Sequence, residues 1–374
     1  MITLGRTDRS VVGRWWWTVD RWSMAALALL VAIGALLIMA ASPAVAERIG
    51  AEHFHFIRRQ FVFVPPALLT MFGVSLLSPK AVRRLACIGF ICAVVLMAAT
   101  LMSGQEIKGA ARWVSLGGLS LQPSEFVKPT FAVVVAWMFS TQSTQEGFPG
   151  NLIALLLYFL VAGLLLLQPD VGMTLVVSAV WFIEFFLAGL PLAWVLMGVL
   201  VGLGGLVGAY FTFSHVQARV DGFLNPVAGN NYQVMTALQA FHNGGFFGRG
   251  PGEGHVKAVL PDAHTDFIMA VAGEEFGLIL CLLVVGLFAF IVLRGFIRML
   301  AEESLFVLLA TSGLLVQFGL QAIINMASTL RMMPTKGMTL PFISYGGSST
   351  LALALGMGMV LALSRTRYGK EEMI

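Results

Sequence analysis

Ten apolar stretches recur along the chain, at roughly 23–45, 61–78, 84–102, 126–140, 152–167, 171–189, 192–213, 266–293, 304–328 and 341–363. A helix needs about 20 apolar residues to cross a bilayer. Most of these stretches meet that length, the fourth is short and the eighth is long. Gln168-Pro169-Asp170 separates the fifth from the sixth, and Gly189-Leu190-Pro191 the sixth from the seventh. Proline lacks a backbone donor, so each break predicts two helices in place of one long one.

The pattern predicts an all-α polytopic membrane protein of about ten transmembrane helices. The organisation expected is a cytoplasmic N-terminal tail over 1–22, one membrane domain over 23–364 and a cytoplasmic C-terminal tail over 365–374. Residues 1–22, the first apolar run and Ser42-Pro43-Ala44-Val45-Ala46 also fit a secretory signal with a small-residue cleavage site. The full spanning length of the run favours a retained helix.

An even span number puts both termini on one side. If that side is cytoplasmic, the short inward segments hold Arg6, Arg9, Arg14, Arg21, Lys80, Arg83, Arg84, Arg294, Arg298, Arg365, Arg367 and Lys370, which is 12 of the 23 basic residues. The outward segments are much longer, so basic density follows the positive-inside rule. They lie at 46–60, 103–125, 214–265 and 329–340, and the third is a large loop between spans seven and eight. Loops of that length are usually functional or disordered. Gly198, Gly202, Gly204 and Gly208 in span seven suggest close helix packing.

Composition agrees with lipid as the main solvent. Apolar residues make up 58% and charged residues 11%, against about 25% charged in soluble domains. The net charge of +4 is spread thinly and gives no basic tract for nucleic acid. It suits anionic lipid headgroups instead. Cys87, Cys92 and Cys281 fall in or beside apolar runs with no metal-ligand spacing, so neither a disulfide nor a zinc site is expected.

Three outward segments hold unusual residue sets. In the first, Arg112-Trp113 precedes Gln122-Pro123-Ser124-Glu125, with Lys128 three residues beyond the acid. Pro123 can open a helix, Glu125 then suits its dipole, and Lys128 can pair with Glu125 on one face. Trp113 also suits an interfacial anchor, and Lys128 can snorkel.

The second set is the glycine-rich Gly244–Gly254, which includes Arg249, followed by His264-Thr265-Asp266-Phe267. Glycines permit close backbone approach and anion-binding N–H groups. Asp266 at the start of an apolar run also suits a helix cap. Glu274 and Glu275 lie deeper in the same run, where ionisable groups are costly, and point to a polar cavity beside Asp266. The third set is Pro334-Thr335-Lys336-Gly337 with Pro341-Phe342-Ile343-Ser344-Tyr345-Gly346-Gly347-Ser348-Ser349, a broken entry to the last helix. Asp170 and Glu184 suit structural pairing and function equally.

These co-linear motifs resemble the signatures of the SEDS family (shape, elongation, division and sporulation) from about span two to the C-terminus. Pro334-Thr335-Lys336-Gly337 and Ala240–Gly245 look more like its division branch than its elongation branch. Leu260-Pro261-Asp262 departs from the family's usual Leu-Pro-Glu but keeps the charge. The resemblance implies a peptidoglycan glycosyltransferase that polymerises lipid II into glycan strands outside the bacterial cytoplasmic membrane, at the division septum. It implies a class B penicillin-binding protein transpeptidase and other division proteins as partners. It places an essential acid at Asp266 and functionally important residues at Trp113 and Glu125.

The implied reaction joins a sugar C4 hydroxyl to an anomeric carbon bearing a diphosphate. The hydroxyl needs a general base, whereas the diphosphate needs charge stabilisation more than an acid. Asp266 is the expected base. Arg112, Lys128, Arg249 and Lys336 are the expected cations, with Trp113, Glu125 and His264 beside them in substrate binding. No cofactor follows with certainty from the residues: a divalent cation, magnesium or manganese, could share the charge, no metal-ligand spacing supports one, and the point stays open. Buried charges and broken helices also suit a lipid II flippase, and a non-catalytic division scaffold is the third reading. Polar residues concentrated on one face favour the enzyme.

Overall fold

The computed structural model describes residues 10–366 apart from 49, 51, 53, 104–111, 117–118, 190 and 225–231. Arg6, Arg9, Arg367 and Lys370 of the expected inward set lie outside the described residues, as does most of the expected C-terminal tail.

Every one of the ten apolar stretches is helical: α2 (Arg21–Arg48), α3 (His55–Ser75), α4 (Pro79–Ser103), α5 (Pro123–Thr144), α6 (Gly150–Leu167), α7 (Val171–Leu187), α8 (Leu192–Thr212), α12 (Ile268–Met299), α13 (Leu305–Thr329) and α14 (Gly347–Leu363). Among the described residues, α2, α4, α6, α12 and α13 are each long and apolar enough to cross a membrane unaided, while α7 and α14 are shorter apolar helices. The expected tail also holds α1 (Val11–Thr18), and the expected 214–265 loop holds α9 (Ser214–Leu224), α10 (Tyr232–Gly244) and α11 (Val256–Val259).

Burial sorts the helices into centre and rim. α5, α13 and α14 are buried along most of their length, whereas α4, α6 and α8 expose apolar side chains such as Ile88, Leu156 and Leu200. Exposed apolar side chains along whole helices of spanning length suit a lipid surround. The buried position of α5 explains how Lys128 is tolerated, since protein surrounds it. α14 lies close on α3, where a methyl group placed on Gly358 would lie 2.9 Å from the Met71 carbonyl oxygen.

α1 is docked to the bundle. The Trp15 indole donates to Ser75 Oγ at 2.9 Å, Arg294 pairs with Asp20 at 2.7 Å, and the Thr366 N–H donates to Thr18 O at 3.0 Å. Both described ends of the chain therefore meet at one end of the bundle.

The long stretch at 266–293 is two segments. α12 breaks at Gly277, where φ is 75° and ψ is −171°. Gly245 to Gly250 cross the break: Arg249 and Gly250 N–H groups donate to the Glu274 and Glu275 carbonyls, and Leu278 N–H donates to Gly245 O. A side chain at Gly277 or Gly248 would collide with the opposing backbone, and both residues have left-handed φ. Ile268–Gly277 is buried in protein apart from partly buried Phe276, while Leu278, Ile279 and Leu282 are exposed. Leu278–Met299 is about 33 Å long at 1.5 Å per residue, enough to span by itself.

Candidate functional site

The site forms where four helix ends meet the chain between α13 and α14. On the first, α5, Pro123 stands at the N1 position and Glu125 lies in the first turn. Lys128 Nζ is 2.9 Å from Glu125 and donates to Gln321 Oε1 of α13, also at 2.9 Å. Both charged groups are buried. Gln321 Nε2 then donates to the Thr339 carbonyl at 3.1 Å, and Thr339 Oγ1 shares a 2.8 Å bond with Ser349 of α14. The expected Glu125–Lys128 pair thus exists, and it is wired to the loop that follows Lys336.

Arg112 closes the turn between α6 and α7. Its guanidinium donates to the Gln168 and Pro169 carbonyls at 2.8 and 2.7 Å and lies 3.2 Å from Asp170 Oδ2. Asp170 also caps α7 by accepting from Met173 N–H at 3.1 Å. Asp170 is therefore structurally paired. Lys336 lies over the same helix end, where a methyl group on Gly172 would be 3.1 Å from its Nζ. Burial lowers the Lys336 ammonium to about 8; Asp170 opposes that shift, and Arg219 and Arg112 add to it.

Asp266 enters from the turn before α12. Thr265, Asp266 and Phe267 all direct their N–H groups at the Asp262 carbonyl, and Asp262 itself has φ of 54°. The cap position of α12 is Phe267, with no side-chain capping bond. A methyl group on Gly337 would lie 3.3 Å from Asp266 Oδ2. Asp266 therefore faces the residue next to Lys336. Around this loop the structure gathers Asp266, Lys336, Arg112, Lys128 and Glu125.

Trp113 is half-buried just before a short hairpin, β1 (Val114–Leu116) antiparallel to β2 (Leu119–Leu121). Ser348 of α14 fixes that hairpin by accepting from Gln122 N–H at 3.1 Å and donating to Ser120 O at 3.2 Å. His264 is buried among aromatic rings, 4.3 Å from Phe56 and 5.4 Å from Tyr345 between centroids.

Arg249 stands apart from the cluster. It is exposed, its N–H bonds to the Glu274 carbonyl, and its side chain donates weakly to Asn243 O at 3.4 Å. Glu274 and Glu275 do not line a cavity beside Asp266. Glu274 accepts from the His255 and Val256 N–H groups at 3.1 and 3.0 Å, and Glu275 accepts from Gly252 N–H at 2.9 Å and pairs with Lys257. The anion that the glycine-rich loop holds is its own chain's carboxylates. Glu184 on α7 is buried against Gly313 of α13, and neither carboxylate oxygen has a hydrogen-bond partner among the described residues.

Four contributors went unmarked in the sequence: Gln321, Asn325, Gly172 and Arg219. Gln321 and Asn325 are one turn apart in α13, with Gln317 one turn before them, a spacing that puts the amides on one face. Among the described residues no three His, Cys, Asp or Glu side chains come together as a metal cluster.

The FtsW/RodA/SpoVE family model, described as cell cycle protein, matches residues 21–369. The chain belongs to this family. It is 49% identical to a probable peptidoglycan glycosyltransferase FtsW of Caulobacter vibrioides, over 97% of this chain and 94% of that one. It is 36% identical to the Coxiella burnetii protein of the same name, over 93% and 96%. Among solved structures it resembles a peptidoglycan synthase complex described as coordinating polymerization and crosslinking, with a TM-score of 0.74, 28% identity and coverage of 92% and 97%. It likewise resembles the rod shape determining protein RodA of Thermus thermophilus, with a TM-score of 0.69, 29% identity and coverage of 92% and 96%.

Proposed function

We propose that this chain is an FtsW-type peptidoglycan glycosyltransferase that polymerises lipid II during division, with Asp266 as general base. The observation that carries the assignment of roles is the approach of Asp266 Oδ2 to Gly337, the residue that follows partly buried Lys336. One carboxylate next to one cation is what the chemistry asks for. The acceptor's C4 hydroxyl oxygen attacks the anomeric carbon and its proton passes to Asp266. The bond from that carbon to the diphosphate breaks, and the diphosphate leaves with the electron pair. Lys336 offsets its charge, with Arg112 and Lys128 holding the surrounding field. Asp266 is half-buried. No step is assigned to a metal ion.

The same reading carries ten spans with both termini in the cytoplasm, the site on the outer face, a class B penicillin-binding protein as cross-linking partner, and residence at the septum. It is supported by the FtsW names of the relatives and by the likeness to a polymerising and cross-linking complex. Buried Glu184 favours a second reading as a lipid-linked precursor flippase, because a membrane-embedded acid without a partner marks transport paths. Purified protein in vesicles with lipid II separates the readings. Polymer that disappears in Asp266→Asn supports the enzyme; translocation without polymer supports the flippase; neither supports a scaffold.

A further inference from the structure

Two segments distant in sequence carry the reacting groups: the 262–267 turn holds Asp266, and the 336–340 loop holds Lys336. Asn325 lies between them on α13. Its Nδ2 donates to the Asp266 carbonyl at 2.9 Å and to the Met338 carbonyl at 2.6 Å. Both partners are acceptors from different segments, so the orientation of the amide is set by its neighbours. The side chain is buried, so neither bond has water as a substitute. One turn earlier, Gln321 joins Lys128 to Thr339 in the same manner.

We propose that Asn325 is a positioning residue, whose amide sets the approach of Asp266 to the Lys336 loop. Gln321 performs the matching task for Lys128. The inference rests on the reading of Asp266 as base. A second link joins the same two segments: Leu340 N–H donates to Ser344 Oγ, which donates to the Thr265 carbonyl. Removing Asn325 therefore leaves the segments tied together while freeing their register, so the fold persists and the geometry loosens. Misplacement of about 1 Å at a reacting group can cost about a hundredfold in rate.

The test uses the full chain in lipid vesicles with lipid II, and compares wild type, Asn325→Ala, Asn325→Asp and Asp266→Asn. Asn325→Ala is expected to lower kcat by about tenfold or more, with KM for lipid II within about twofold. Its rate profile is also expected to change on the basic side. Lys336, released from burial against Gly172, keeps its proton to higher pH, and the limb near 8 moves upward. The same-sized Asn325→Asp replaces the alanine variant if that one does not purify folded, with the same expected readings. Wild-type kcat, or a loss in kcat with the basic limb unmoved, overturns the proposal in favour of a merely structural amide. If Asp266→Asn still polymerises, the reading of Asp266 fails instead, whatever Asn325 does.

Discussion

Two buried glutamate–lysine pairs in this molecule look alike and serve different ends. Glu125 and Lys128 sit three residues apart on α5, and the lysine passes a hydrogen bond through Gln321 to the loop of Lys336. Glu275 and Lys257 join α12 to α11, and their companion Glu274 binds backbone N–H groups of the adjoining loop. The first pair is wired to the groups placed for chemistry, the second to a seam that holds the broken α12 against its loop. Burial and ion pairing are thus shared by site and scaffold. What separates them is where the remaining donors go.

The contrast is breakable by substitution. The largest expected effect is on the site side: Asp266→Asn removes the proposed base and is expected to lower polymerisation by about 10²–10⁴-fold, with thermal stability in detergent unchanged. Lipid II turnover and a melting curve on the same preparation check this, and a parallel loss of folding would place Asp266 with the scaffold. On the seam, Glu275→Ala leaves Lys257 buried without its partner. A loss of about 3–5 kcal/mol is expected, read by chemical denaturation, with activity per folded molecule retained.

A smaller and reversible effect is expected from pH. A lysine whose pKa is lowered gives up its charge earlier as pH rises, so polymerisation should fall above about 8. Lys336→Arg keeps the charge and should move that fall upward; a profile flat to pH 10 would remove Lys336 from diphosphate stabilisation. The smallest effect is expected at Arg249, exposed on the seam. Arg249→Ala should change turnover less than about twofold, in line with an exposed side chain away from buried networks. A loss comparable with that of Asp266→Asn would mean that the seam also reaches substrate.

Much of the site was legible because charge in an apolar chain is conspicuous. Asp266, Lys336, Arg112, Glu125 and Lys128 are all visible as expensive residues near helix ends; the structure pairs Glu125 with Lys128 and brings Asp266 to Gly337. Gln321 and Asn325 do not stand out in the sequence because an amide carries no formal charge and one or two fit within a helix of spanning length. Their spacing of one turn was the available signal. Glu274 and Glu275 were visible but misplaced, since depth within an apolar run says nothing of a break. Gly277 in the middle of that run was the clue. In sequence, charge and side alone put Arg249 with the site, and neither carries a distance.

Helix positions, the preference for lipid and the list of costly residues follow from local pattern, because hydropathy and helical period act over a few turns. Which costly residues meet depends on contacts between segments far apart: Asn325 reaches a carbonyl 59 residues away, and Arg112 one 56 residues away. Such bonds form only once packing has removed water from both partners. Asp266 reaches the Lys336 loop at Gly337 because α13 ties the two segments, whereas Arg249 is held at the break at Gly277.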